Sequence, residues 1–380
     1  MKKVKLVDRS KGIISGNTKL EKLHIIKNFP VFFGCTDKDE KDDLYADVNW
    51  YIDPQTGIVQ LTKLIPLDIL YQEQHVDSPG QVWKNFYKSF SEYILSRNPI
   101  NILEIGGGNG RLAEVFCSIS KDIKWTIIDP NPICEETDQI KQIKCFVYEN
   151  FKFNEKIDTI IFSNLLEHIY DPESFVDMLY DLMDKNTKLV FAHPDLLGWL
   201  EKKYTNALNF EHTVLLTDFF VDFIFTNRGF SIKDKIKYND YMFFYEFEKN
   251  DSKTLSKNIP NRYKEYKETY TDFMEYHTNM VEDFNKRLKT ETRPVYLFGA
   301  HIFSQYLLNI GLNSKKIKMI LDNGKIKHDK RLYGTSFIVR SPIVLKDEEK
   351  AVVILKAGVY NEEIKKDILE NINSNIEFWE

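Results

Sequence analysis

Cysteine is scarce in this 380-residue chain, and the four present are scattered. Cys35, Cys117, Cys134 and Cys145 form no C-x-x-C spacing, which excludes a thiolate zinc site and gives no basis for a disulfide framework. No metal site is expected. Long apolar runs are missing too: nothing approaches the roughly 18 residues of a membrane span. The opening MKKVKLVDRSKG is basic, but no apolar segment of a secretory leader follows it, so the expected location is the cytoplasm. Nor is there an excess of positive charge. With 52 Lys and Arg against 57 Asp and Glu, the net charge is −5, and nothing electrostatic favours nucleic acid as a partner. The expected partner is a small molecule.

What is present has an order. Residues 1–95 are mixed, with turn signals at DPQTG and DSPG, then an aromatic helical stretch in which Val82, Phe86, Phe90 and Ile94 share one face. Residues 96–250 alternate between strand and helix patterns: INILEI, RLAEVFCSIS, KWTIID, KCFVYE, IDTIIFSN, PESFVDMLYDLM and TKLVFAH. Residues 251–292 are charged, rich in Tyr and nearly free of Gly, which predicts a long helix and a connector. From 293 to 380 a second, smaller alternation begins with PVYLFGA. The expected class is α/β: a doubly wound Rossmann-like domain, a small N-terminal region before it and a smaller C-terminal α/β domain after it.

Behind the strand INILEI stand four glycines in five positions, Gly106 to Gly110, and a helix follows. Glycine there lets the backbone turn sharply and approach a ligand, because no Cβ stands in the way. A dinucleotide fingerprint would need glycine at 111, where Arg111 sits. The pattern instead is Glu104-x-Gly106-x-Gly108-x-Gly110. A second carboxylate, Asp129, ends the next strand, 25 residues on, where it can accept hydrogen bonds from ribose hydroxyls.

On these residues the chain resembles the class I S-adenosylmethionine (SAM)-dependent methyltransferases. The resemblance implies SAM as cofactor, bound by Glu104, Gly106, Gly108, Gly110 and Asp129, with Asn164 near the methionine moiety and Glu149 beside the adenine or its ribose. Glu167 and His168, in SNLLEHIYDPE, either serve the site or satisfy neighbouring backbone groups. The segments DPQTGIVQL and Leu70–Tyr71, and the tail YLFGAHIFSQYLLNIGL with LDN, Lys327 and GT, are similar to the sugar C-methyltransferases that act on nucleotide-linked deoxysugars. That likeness implies a sugar or nucleotide-sugar acceptor, C- or O-methylation, and a place in surface-polysaccharide or glycan synthesis. In that family a Tyr-His-Glu-His stretch faces the sugar; here it reads Asn209-Phe210-Glu211-His212. His212 is the expected general base, oriented by Glu211, with His193 in FAHPD as the second candidate. The family's N-terminal zinc cysteines are absent.

Two other classes fit the residues less well. A nicotinamide-type oxidoreductase with two Rossmann-like units conflicts with Arg111 and with FGAHIFS, where Gly299 is the one glycine. A non-catalytic nucleotide-binding scaffold conflicts with the intact glycine and carboxylate set. Gly299 and Asp322 have a spacing that either seats a nucleotide or serves packing, and His301 and Lys327 nearby fit a solvated role.

Overall fold

The computed structural model describes residues 2–72, 80–147, 151–251 and 258–380. Three sheets organise the chain. The N-terminal sheet carries β1 (Glu21–Pro30), β2 (Leu44–Ile52) and β3 (Val59–Leu61), with β2 antiparallel to β1 and β3 and the short Lys2–Lys3 stretch parallel to β2. In β2 the buried residues alternate with partly exposed ones, the mark of a sheet with one face on the core. Three backbone contacts tie this sheet to the loop after Phe210: Leu61 donates to the Thr213 carbonyl at 2.9 Å, Leu215 donates to that of Val59 at 2.8 Å, and Gln60 bridges Val214. Arg9 reinforces the junction by donating to the carbonyls of Thr213 (2.9 Å) and Tyr170 (2.7 Å). The N-terminal region thereby fixes the stretch that carries Glu211 and His212.

The central sheet has seven strands: β4 (Asn101–Ile105), β5 (Lys124–Asp129), β6 (Ile140–Lys144), β7 (Thr159–Ser163), β8 (Lys188–Pro194), β9 (Phe230–Tyr238) and β10 (Met242–Lys249). Their spatial order is β6-β5-β4-β7-β8-β10-β9, with β10 antiparallel to both of its neighbours and the other pairs parallel. The order reverses between β4 and β7, so a crevice opens beyond their carboxyl ends, the usual ligand position in such sheets. Helix α1 (Gln81–Leu95) buries Phe86, Phe90 and Ile94 against this sheet, with the Phe90 ring 4.9 Å from that of Phe244. Helix α2 (Arg111–Ile119) leaves the glycine loop, and α3 (Pro172–Leu182) starts on the Asp171 carboxylate, which accepts the Ser174 N–H at 3.0 Å ahead of a proline in the first turn. On the other face Phe162, Phe191 and Phe247 stack in sequence.

The C-terminal sheet is all parallel, in the order β13-β12-β11-β14-β15, from β11 (Val295–Phe298), β12 (Ile317–Leu321), β13 (Val339–Arg340), β14 (Ala351–Leu355) and β15 (Ile376–Trp379). Before it runs the 28-residue α4 (Tyr263–Thr290), whose buried positions Tyr266, Tyr270, Phe273, His277, Val281, Phe284 and Leu288 recur every three or four residues. A spacer of this length, about 42 Å at 1.5 Å per residue, joins the two α/β units while burying one stripe in the common core. Helix α5 (Ile302–Asn309) follows β11 as α2 follows β4.

The expected strand KCFVYE is shorter and earlier than its apolar letters suggest: β6 ends at Lys144. The β9–β10 hairpin and the N-terminal strands add to the strand–helix alternation read from sequence.

Candidate active site

The glycine loop occupies the crevice. Gly106 (φ 78°) and Gly110 (φ 68°) both lie in the left-handed region that side chains disfavour. Space is also closed to a side chain: a Cβ on Gly106 would stand 2.9 Å from Leu165, and one on Gly110 would stand 2.3 Å from the Cys134 side chain. The backbone from Gly106 to Gly108 faces a cleft of about 640 Å³.

Glu104, at the end of β4, is fully enclosed and accepts the Trp125 indole N–H at 2.8 Å. Burial pushes its carboxyl up to about 7, with the nearby Asp129 adding to the rise. Asp129 ends β5 and is 6% exposed; one oxygen accepts the Gly108 N–H at 3.1 Å and the other that of Asn131 at 2.7 Å. It therefore stands behind the loop and fixes its path. Asn164, at φ 49°, lines the cleft and donates its backbone N–H to Ala192. Glu149 lies outside the described residues.

Opposite the loop is a compact group of histidines and glutamates. Glu167 and His168 sit on a single helical turn after β7, and the Glu167 carbonyl accepts the Thr213 N–H at 3.0 Å, which joins two segments 46 residues apart. His212 Nδ1 lies 3.0 Å from the Ala207 carbonyl. A carbonyl can only accept, and the Asn209 amide 3.3 Å from the same Nδ1 already donates to the Asn206 carbonyl at 3.0 Å, so the shorter Ala207 contact favours the hydrogen on Nδ1, with Nε2 bare in the neutral ring. Burial first, then the neighbouring His168, holds the His212 pKa below the usual histidine value. Glu211 is close to His168, with Oε2 3.8 Å from its Nδ1. The carbonyl of Ala207, rather than a carboxylate, is what orients the His212 ring.

His193 ends β8 beneath this group. It is wholly buried, with Nε2 2.7 Å from the Leu216 carbonyl and Nδ1 3.6 Å from Glu167 Oε2. Asn209, where the resemblance would place Tyr, serves as a turn former: its Oδ1 accepts the N–H groups of Glu211 (2.7 Å) and His212 (2.9 Å). Phe210 is fully buried beside Phe29.

Sequence reasoning passed over Tyr71 as a site residue. Its hydroxyl is buried without a hydrogen-bond partner, and burial together with Glu211, Tyr170, Glu167 and Asp129 raises its pKa well above the usual value. Its backbone carbonyl accepts from the side chain of Asn131, two residues after Asp129. The only signal in the sequence was the Leu70–Tyr71 pair itself.

The same cleft is closed on its far side by the C-terminal unit. Gly299 (φ 105°), His301, Asp322 and Lys327 all line it. Asp322 accepts the N–H groups of Ala300 and Gly324, both at 2.8 Å, and pairs with Lys327 at 3.3 Å, so these loops are braced together.

Among known families, residues 77–233 match the methyltransferase domain and residues 250–378 match the C-methyltransferase C-terminal domain. No curated relative matches. Similar solved structures include the N-methyltransferase NodS from Bradyrhizobium japonicum WM9, at 14% identity over 45% of this chain and 98% of that one, with a TM-score of 0.34. Human N-acetylserotonin methyltransferase in complex with SAM is 16% identical over 45% of this chain and 53% of its own, with a TM-score of 0.38. A SAM-dependent methyltransferase from Aquifex aeolicus is 14% identical over 41% and 88%, with a TM-score of 0.33.

The loop suits that cofactor. Its glycines form a cradle that a Cβ would fill, and a carboxyl poised near neutrality at Glu104 is one that a cationic ligand would hold ionised. With a methyltransferase domain followed by a C-methyltransferase C-terminal domain, the chain is a SAM-dependent methyltransferase.

Proposed function

We propose that the chain methylates a carbon or oxygen atom of a sugar carried on a nucleotide, in the cytoplasm, as a step in surface-polysaccharide or other glycan synthesis. The observation that supports this reading is the single cleft shared by the Gly106–Gly110 loop and the Gly299, Asp322 and Lys327 loops. An acceptor with a sugar at one end and a nucleotide at the other has the length and the two chemistries to use both walls. We read 1–95 as the substrate-side region, 96–250 as the SAM-binding domain, 251–292 as the connector and 293–380 as the nucleotide-side domain.

SAM, when bound, supplies an electrophilic methyl group on a sulfonium. In this reading Glu104, Gly106, Gly108, Gly110, Asp129, Asn164 and Glu149 hold it. The chain's own part in the chemistry is alignment, exclusion of water and removal of a proton. His212 takes the acceptor's proton on Nε2; its depressed pKa keeps the ring neutral and ready near pH 7. Glu211 and Glu167 supply negative charge for the imidazolium that forms, and His193 backs Glu167 from below.

The test is calorimetric titration with uridine and thymidine diphosphate sugars. Lys327→Ala should weaken their binding about tenfold or more, the worth of one charge-assisted hydrogen bond, and leave SAM affinity unchanged. Absence of binding by the unaltered chain refutes the reading.

A further inference from the structure

The histidine–glutamate group has more donor atoms than hydrogens to share. In neutral His212 the hydrogen is on Nδ1, facing Ala207 O, which leaves Nε2 as a lone pair. In neutral His193 it is on Nε2, facing Leu216 O, which leaves Nδ1 as a lone pair 3.6 Å from a Glu167 oxygen. His168 Nε2 lies 3.7 Å from the other Glu167 oxygen. These separations exceed a hydrogen bond. Glu167 Oε2, on a side chain 2% exposed, together with His168 Nδ1 and His193 Nδ1, is buried with no hydrogen-bond partner. Unmatched lone pairs on buried atoms favour a positive occupant.

One donor atom each from Glu167, His168 and His212 lies within 4.8 Å of the others. Nitrogen and oxygen ligands about 2.1 Å from a shared tetrahedral cation stand about 3.4 Å apart. Closing the set from 4.8 Å therefore needs each side chain to move by less than about 1 Å. All three residues line the cleft, so further coordination positions would open onto it. Two imidazoles and a carboxylate are the donors that borderline divalent cations such as zinc prefer. The bond from His212 Nδ1–H to a backbone carbonyl is the usual second partner of a metal-bound histidine.

We propose that Glu167, His168 and His212 form a site for one divalent cation of the zinc class, and that occupation of the site takes the His212 lone pair out of use as a base. The site follows from the donor geometry alone; the second clause rests on His212 being the base, as proposed above. Cation and acceptor proton then compete for one nitrogen, so the cation inhibits methyl transfer and leaves SAM binding intact.

The test titrates the purified, chelator-treated full chain with Zn²⁺ by calorimetry and with Co²⁺ by visible absorption. The expected result is one ion per chain, with affinity reduced at least about 100-fold, the upper end of what loss of a second-shell partner costs, in both Glu167→Gln and His168→Asn. His301→Asn, on the opposite wall, serves as a control and should bind the ion normally. Retained SAM affinity in each variant establishes that it is folded. No saturable binding, or binding untouched by both substitutions, overturns the site. If the ion binds as expected and accelerates transfer, the site stands and the base assignment falls.

Discussion

Glu104 offers a perturbation whose sign can be worked through. Its carboxyl is raised from 4.5 to about 7 by burial in the folded chain. The native state keeps this proton through the window from pH 4.5 to 7, while the unfolded chain has already lost it. Stability from this group is therefore present at low pH and falls as pH rises through that window. At about 1.4 kcal/mol per unit, the full loss is about 3 kcal/mol, of which less than one is felt by pH 5. Glu104→Gln removes the ionisation and keeps an acceptor for the Trp125 N–H. The variant should match the unaltered chain at pH 5 and be more stable at pH 8 by about 2–3 kcal/mol, measured by urea unfolding without ligand. It should also bind SAM poorly, because the carboxylate that a cation would hold ionised is gone. Parallel stability curves for the two proteins across this range would refute the argument.

Three further outcomes are expected. Asp129→Ala should weaken SAM binding by roughly 2–4 kcal/mol in a calorimetric titration, since the carboxylate both braces Gly108 and is the proposed ribose partner. His212→Asn, assayed at saturating acceptor, should lose about 10²- to 10⁴-fold in turnover while SAM affinity stays unchanged; a rise in acceptor KM alone would instead mark a binding contact. Arg9→Ala should lower stability by about 2–3 kcal/mol, read as a shift in the urea midpoint. It removes a guanidinium that clamps the Thr213 and Tyr170 carbonyls; the Thr213 carbonyl keeps the Leu61 N–H, and the Tyr170 carbonyl loses the Arg9 donor.

The glycine loop was legible because its strand, turn and helix are contiguous, so local pattern and tertiary role coincide. The β9–β10 hairpin was not: a register shift between Ile232 and Asp234 breaks the two-residue alternation that reveals a strand. Long-range joins were hidden for a different reason. Glu167 and His212 meet through the Thr213 N–H bonded to the Glu167 carbonyl and through the N-terminal strand paired alongside, which no local spacing encodes. Tyr71 enters the site by the same kind of packing, as its backbone carbonyl accepts from the Asn131 side chain after β5. His193 could be placed at a strand end from sequence, but the bond from its ring to Leu216 turns it beneath the cleft.

In the proposed reaction a sugar on a nucleotide receives the methyl group in the cleft between the two α/β units. The direct measurement is incubation of the full chain with methyl-labelled SAM and a panel of nucleotide sugars, followed by mass spectrometry and carbon NMR of the products. The expected result is label on a sugar carbon or oxygen and its loss in Lys327→Ala at limiting acceptor. Label recovered only on amine acceptors that lack a nucleotide would contradict it.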